Sequence, residues 1–529
     1  MMTAGKRLAV TAACMLLLVA CANDATTSDN DETAGALPSE AVEIMESAPY
    51  TTARWPYLVV DPETDEVIYS SEADKRMLLA SQTKHFVVGT VYEDLGVDRT
   101  ITTPVYATVA PSGGTLAGDL VLVGSGDLAL GGRGAAEGEF NFATDGIDHV
   151  YADALPGAVL APGDPLAGLN DLARQVASAG VDRIDGDVVV DTRLWDTYST
   201  VEGLVPSIFV NDNLVDIQAS PGSPGTSATI EMLPGNGLFA LDSQVTTGDA
   251  DSDSTLTVEA DAVDSNLIRV RGSVPAGKTS LTVFRITDAE SWARQLFVEA
   301  LQRNGVAVSS TSRVNNVASL PASDSYQDAL RIASLESAPL RQSGSMILAT
   351  SYNTGANTFL CLLAVESGSS NCKDGLPTVR ALADEAGVPA ADLVIMDGQG
   401  GDPSSATPQA IVTWLKWVSD QSWADTFWAG QPILGERGSL VGVGVDSAAK
   451  GAVVGKTGTS ADVEPVSGRL VVNLQALSGY LDVGDGRRLL FVVGVMGAVF
   501  PDLPRGVFQV GGDVGMVAAA LQQAQLNSP

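Results

Sequence analysis

Ser81-Gln82-Thr83-Lys84-His85-Phe86-Val87, then Ser351-Tyr352-Asn353, then Lys456-Thr457-Gly458-Thr459 follow one another along the chain. The first stretch decides most. A helical pattern starts near Ser81, with Phe86, Val87, Val91 and Leu95 on one predicted face. A serine that opens a helix and a lysine three residues on lie one turn apart on the same side. A serine hydroxyl is a weak nucleophile until a neighbouring base takes its proton. Lysine can be that base once burial or a second cation lowers its pKa. The chain holds 22 Arg and only 8 Lys, yet position 84 is Lys. Arginine cannot release its proton, so only lysine can serve there as a base. Ser-x-x-Lys recurs at Ser370 and Ser447, but those serines fall in Gly-Ser-rich and Gly-rich segments and open no helix.

Lys456 can supply the second cation, and its expected persistent charge suits a substrate carboxylate. Thr457 can add a hydroxyl, and Gly458 is expected to let substrate lie close to a strand. Ser351 can relay a proton between the two amines and a leaving group, and Asn353 can hold a substrate amide. Around these motifs, Tyr57–Asp61 and Glu66–Ser70 read as a β-hairpin. The next two hundred residues carry short strands (118–123, 186–191, 214–218, 267–271, 281–286), interrupted by one helix at 168–179. Helical patterns return at 291–304, 328–334, 356–365, 377–386 and 407–419. A strand near Val453, a hairpin 477–482/489–496 and a helix near 514–522 finish the chain. The simplest organisation is an α/β (α+β) domain split in sequence, with mainly β domains inserted. Predicted boundaries are 46–103 and 288–529 for the split domain and 104–287 for the insertion.

Further short stretches carry a resemblance: Gly118-Asp119-Leu120, Gly124-Ser125-Gly126-Asp127, Ile184 to Asp191, Asn211-Asp212-Asn213, Asp397-Gly398-Gln399-Gly400 and Leu477-Ser478-Gly479-Tyr480. With the three motifs, and with 267 residues separating Lys84 from Ser351, the chain resembles the class C low-molecular-mass penicillin-binding proteins. These are D-alanyl-D-alanine carboxypeptidase/endopeptidases. The resemblance implies a penicillin-binding/β-lactamase-like transpeptidase domain with two nested insertions. It implies Ser81 as nucleophile, Lys84 as its base, Ser351 and Asn353 on the opposite wall, and Lys456, Thr457, Gly458 and Thr459 on the strand edge. Backbone N–H groups of Ser81 and Thr459 would form the oxyanion hole. Peptidoglycan peptides ending in D-Ala-D-Ala would be substrates, β-lactams covalent inhibitors, and no cofactor or metal is implied. Two departures stand out: Tyr352 where Asp is frequent, and Gln399 where the Asp-Gly-x-Gly segment usually has Ser. The rival expectations are a β-lactamase-like hydrolase and a catalytically weak cell-wall-binding lipoprotein.

Lys6 and Arg7 precede the apolar run Leu8–Ala20, which ends on Leu18-Val19-Ala20-Cys21. That is an export-signal pattern, too short to span a bilayer, and it resembles a lipobox. Residues 1–21 are thus expected to be a lipoprotein signal with Cys21 lipidated, and 22–45 a flexible tether that holds the protein at the membrane. Cys361 and Cys372 either close a small loop or stay as two thiols. Two His and three Cys beyond the signal's interior cannot build an ordinary clustered zinc site. A net charge of −34 repels phosphate backbones and argues against nucleic-acid partners. Gly272–Thr279 matches a phosphate-loop pattern, but Ser280–Ile286 continues as strand where a helix is required, and Pro275 suits a hairpin tip. His85 is expected to be a helix-surface residue beside the site.

Overall fold

The computed structural model describes residues 35–526. The predicted signal, Cys21 and residues 22–34 of the predicted tether lie outside the described residues. The rest of that tether is structured: Ser39–Met45 is a helix with Ala41 fully buried. Ala41, Ile44 and Met45 recur at helical spacing and pack with the final helix, Leu503–Leu526. Apolar periodicity in a segment of polar composition is what the tether reading overlooked.

At the centre is an antiparallel sheet in the order Val67–Ser71, Tyr57–Val60, Arg488–Val495, Leu470–Asp482, Val453–Val463, with Ala498–Phe500 added beside Leu470–Asp482. Both of its faces are covered. Along one strand, Leu490 and Val492 face a helical core, while Leu489, Phe491 and Val493 face the side closed by the final helix. The near-continuous apolar run Leu489–Val495 reflects that two-sided burial. The helix Thr83–Val91 runs through the middle of the helical core with every residue buried. The single apolar face predicted for it is therefore corrected: a helix that is apolar nearly all round is enclosed on all sides.

The inserted body begins at the strand Thr102–Ala107 and returns through Arg331–Glu336, which pair antiparallel. They belong to a four-stranded sheet with Leu120–Val123 and Val188–Asp191. Helices Ala167–Ser178 and Ala289–Arg303 pack on it, and Trp292, Leu296, Phe297 and Leu301 are fully buried in this second core. Two of the further small sheets of the insertion are three-stranded: Thr229–Leu233, Leu214–Ser220 and Ser280–Arg285 form one, and Ala240–Thr247, Leu267–Val274 and Thr257–Ala260 another. Helix Ala289–Arg303 and strand Arg331–Glu336, both beyond the predicted boundary at 287/288, pack with this second core and its sheet. The helical pattern at 328–334 resolves into a short 3-10 turn and the strand Arg331–Glu336. Periodicity found the helix near Ser291, but which core its apolar face serves depends on tertiary pairing. Pro275–Thr279 joins strands of two different sheets, not the arms of one hairpin, and Ser280 opens a strand. The phosphate-loop pattern is thus followed by a strand where it requires a helix.

Candidate active site

The three motifs meet between the helical core and the edge strand Val453–Val463. Ser81 lies in a 3-10 turn, Ala80–Gln82, that feeds the buried helix. Ala80, just before it, has φ +45°, a region non-glycine residues seldom occupy. Gly400 makes that turn possible: a Cβ there would sit 1.8 Å from the Ala80 carbonyl oxygen. Its loop is wound around Asp397, whose Oδ1 accepts from the backbone N–H of Gln399, Gly400 and Gly401 at 3.1, 2.7 and 2.9 Å. The edge strand presses on the same turn. A Cβ on Gly458 would lie 2.8 Å from the Leu79 carbonyl oxygen, so this glycine lets the strand pack against the turn.

Lys84 Nζ lies 2.7 Å from Ser81 Oγ and 2.5 Å from Asn353 Oδ1, with the Gln399 carbonyl oxygen at 3.4 Å. The side chain is fully buried. Burial lowers its pKa to about 7, against an upward pull from Glu202 and Asp397. Lys456 is fully buried as well, and its Nζ donates to the Thr457 carbonyl at 2.9 Å. Burial, and then the charge of Lys84, holds its pKa well below the ordinary value. Both effects work against the persistent charge expected at Lys456. Thr457 Oγ1 lies 2.8 Å from Ser439 Oγ, and Thr459 Oγ1 donates to Gln475 Oε1 at 2.7 Å.

Opposite Ser81, Ser351 ends the helix Leu340–Thr350 in a left-handed conformation, φ +65°, and Asn353 opens the next helix, Asn353–Glu366. Tyr352 is buried and turned away from the cleft-facing atoms of its neighbours. Gln399 also points away: its Oε1 accepts from Asn357 at 2.9 Å, so only its backbone carbonyl faces Lys84. Cys361 and Cys372 are joined in a buried disulfide that packs with Trp195, Tyr198 and Val205 of the insertion. Ser370 pairs with Asp196 on the surface and Lys450 is exposed; neither of the other Ser-x-x-Lys pairs reaches this cleft.

Sequence reasoning missed three contributors. Glu202, at the tip of the hairpin Ser199–Thr200/Gly203–Leu204 of the insertion, accepts from Asn353 Nδ2. Tyr151 donates to the Ser351 carbonyl at 2.5 Å. His85 is fully buried rather than on a surface, with Nε2 3.0 Å from Ser478 Oγ, and burial followed by the Lys456 charge lowers its pKa to about 3. The first two lie 151 and 200 residues from their partners, where local sequence carries no sign of their destination. His85 was legible in part, since a helix apolar on all sides leaves no surface for it.

The profile of the D-Ala-D-Ala carboxypeptidase 3 (S13) family matches residues 40–502. The chain belongs to that family. This serine-type D-Ala-D-Ala carboxypeptidase is 29% identical over 437 residues to the D-alanyl-D-alanine carboxypeptidase of Actinomadura sp. (strain R39), covering 78% of this chain and 74% of that one. Its fold is that of penicillin-binding protein 4 from Haemophilus influenzae, with a TM-score of 0.67 at 16% identity over 92% of this chain and 99% of the other. The same Haemophilus protein complexed with a β-lactam gives a TM-score of 0.63 at 18% identity, over 92% and 98% of the two chains. The family and fold expected from the motifs are thus the ones found. Among the described residues of the carboxypeptidase, no helix is long and apolar enough to cross a membrane.

Proposed function

We propose that Ser81 is the nucleophile of this carboxypeptidase and that neutral Lys84 is its base. The observation that carries the reading is a lysine 2.7 Å from the serine oxygen whose burial brings its pKa to about 7. A general base works best with a pKa near the working pH. Lys84 takes the Ser81 proton as Oγ attacks the penultimate D-alanine carbonyl. Backbone N–H groups of Ser81 and Thr459 hold the oxyanion. The proton passes through Ser351 to the departing amine, and the C–N bond breaks to leave an acyl-serine. Water then attacks that ester with the same base assisting. Asn353 orients Lys84 through Oδ1 and offers Nδ2 to the substrate amide. Lys456, Thr457, Gly458 and Thr459 form the edge on which the terminal carboxylate binds; the carboxylate itself restores the proton that burial makes costly for Lys456.

The leaving group is a terminal D-alanine or the amine side of a peptidoglycan cross-link, giving carboxypeptidase or endopeptidase action on the same acyl-enzyme. A β-lactam enters as the cyclic equivalent of D-Ala-D-Ala and stays bound through Ser81. Fluorescent penicillin should label the wild-type protein and fail to label Ser81→Ala, while Ser370→Ala and Ser447→Ala label normally. A hydrolysable adduct on Ser81→Ala would overturn the assignment. For location, we take residues 1–21 as an export signal with Cys21 diacylated, which places the enzyme on the outer face of the membrane or in the envelope. The support is Lys6, Arg7, the apolar run and Leu18-Val19-Ala20-Cys21. A palmitate analogue should label wild type and not Cys21→Ser; unlabelled wild type would refute the anchor.

A further inference from the structure

The densest set of buried charges outside the cleft lies in the insertion, behind Ser351. His149 is fully buried, with Nδ1 2.7 Å from Asp216 Oδ1 and Nε2 2.9 Å from Asp212 Oδ2. Arg133 pairs with Asp212 and donates to Asn211 Oδ1 at 2.9 Å, while Asn211 donates to Asp216 Oδ2 at 2.8 Å. Asn211, Asp212 and Asn213 have φ of +54°, +52° and +55°. Three successive non-glycine residues in the left-handed region are strained, and such strain persists only where surrounding contacts enforce it. Burial by itself would discharge His149, but its bonds to Asp212 and Asp216 raise its pKa to about 10. The imidazolium and guanidinium thus face two carboxylates in a closed set. A third acid, Asp148, caps the turn by accepting from Val150 N–H at 3.1 Å.

That cluster anchors a short turn, His149–Tyr151. Arg285 secures it from the other side, donating to the Val150 carbonyl at 2.7 Å and pairing with Asp153 at 2.6 Å. The tip of the turn is Tyr151, whose hydroxyl is 2.5 Å from the Ser351 carbonyl oxygen. Burial, then the charge of Glu202, pushes the phenol pKa up, so it remains a donor. Ser351 itself is strained at φ +65°, and it is the residue whose hydroxyl must point at the amines.

We propose that Tyr151, held by the His149 charge cluster, is a positioning residue that fixes the left-handed turn at Ser351 and so aims the Ser351 hydroxyl and the Asn353 amide at Lys84. The inference rests on the proton-relay role given to Ser351 above. The insertion is then a structural part of the catalytic apparatus, through the Tyr151–Ser351 bond beside the Glu202–Asn353 contact.

The test uses Tyr151→Phe, which removes one oxygen and no bulk. A relay through Ser351 matters when the leaving group needs a proton, as a D-alanine amine does, and matters little for a thiolate. Tyr151→Phe should lower kcat on a D-Ala-D-Ala peptide by at least ~10-fold with little change in KM. A thioester of the same acyl group should lose less than ~3-fold, and the melting temperature should stay near that of wild type. Ser351→Ala is the reference and should show the same amide-selective loss. Wild-type rates for Tyr151→Phe beside a crippled Ser351→Ala would overturn this inference and leave the relay intact. Equal losses on amide and thioester with a lowered melting temperature would reduce Tyr151 to a packing role and overturn it too. An unimpaired Ser351→Ala would overturn the relay reading itself. His149→Gln, if it folds, should reproduce the Tyr151→Phe pattern on both substrates.

Discussion

Glu202→Gln should make this enzyme faster in acid, although Glu202 lies beside the cleft and touches its residues. Its carboxylate accepts from Asn353 Nδ2, and Asn353 Oδ1 lies 2.5 Å from Lys84 Nζ. One amide group thus bridges the anion and the amine, so the charges sit ~7 Å apart. Glu202 is exposed at its hairpin tip, so its field is heavily screened. At an effective dielectric of about 40–80, that separation changes the Lys84 pKa by ~0.5–1. The sign is fixed: Glu202 favours the ammonium, raising a pKa that burial lowers to about 7. Without the charge the pKa falls to roughly 6–6.5, and the free-amine fraction at pH 6 rises ~2- to 5-fold. Above pH ~8 Lys84 is deprotonated in both proteins, so any residual rate difference there reports lost alignment of Asn353 alone. The assay is the acylation rate constant with a chromogenic thioester from pH 5 to 9. The acid limb of Glu202→Gln should move down in pH while the plateau stays within a small factor. An unmoved limb, or one that moves up, would refute the claim that Lys84 is the titrating base and that Glu202 tunes it.

Three further outcomes are expected. Lys84→Met should stabilise the protein while abolishing acylation. The folded pKa of Lys84, about 7, lies below its ordinary 10.5, so the penalty is present in full below pH 7 and is lost as pH rises toward 10.5. Thermal melts should show a gain of about 1–4 kcal/mol at pH 6 that shrinks by pH 10; a loss at pH 6 would contradict it. Gly458→Ala should slow penicillin acylation by at least ~10-fold, since its Cβ would press on the Leu79 carbonyl from 2.8 Å; wild-type labelling would mean the strand and turn separate freely. Lys456→Gln should cut kcat/KM on D-Ala-D-Ala peptides ~10- to 100-fold, more than on the same peptides with a C-terminal amide. Equal losses would show that Lys456 acts only on the proton network.

The sequence alone placed the Ser81 hydroxyl and the Lys84 amine side by side. A Ser-x-x-Lys at a helix start is local geometry: one turn brings hydroxyl and amine together whatever the rest of the chain does, and the scarcity of lysine marks position 84. Strands such as Leu489–Val495 and helices such as Pro408–Ser419 were legible for the same reason, since periodicity is a property of neighbours in sequence. What only the tertiary structure decided are quantities summed over distant neighbours. Whether Lys84 and Lys456 carry charge depends on complete burial, which no motif reports. The helix Ala289–Arg303 showed its apolar face in sequence but not that the face belongs to the inserted core. Glu202 and Tyr151 reach Asn353 and Ser351 across 151 and 200 residues. Their meeting is set by side-chain packing between segments far apart in the chain, which leaves no signature in the order of residues.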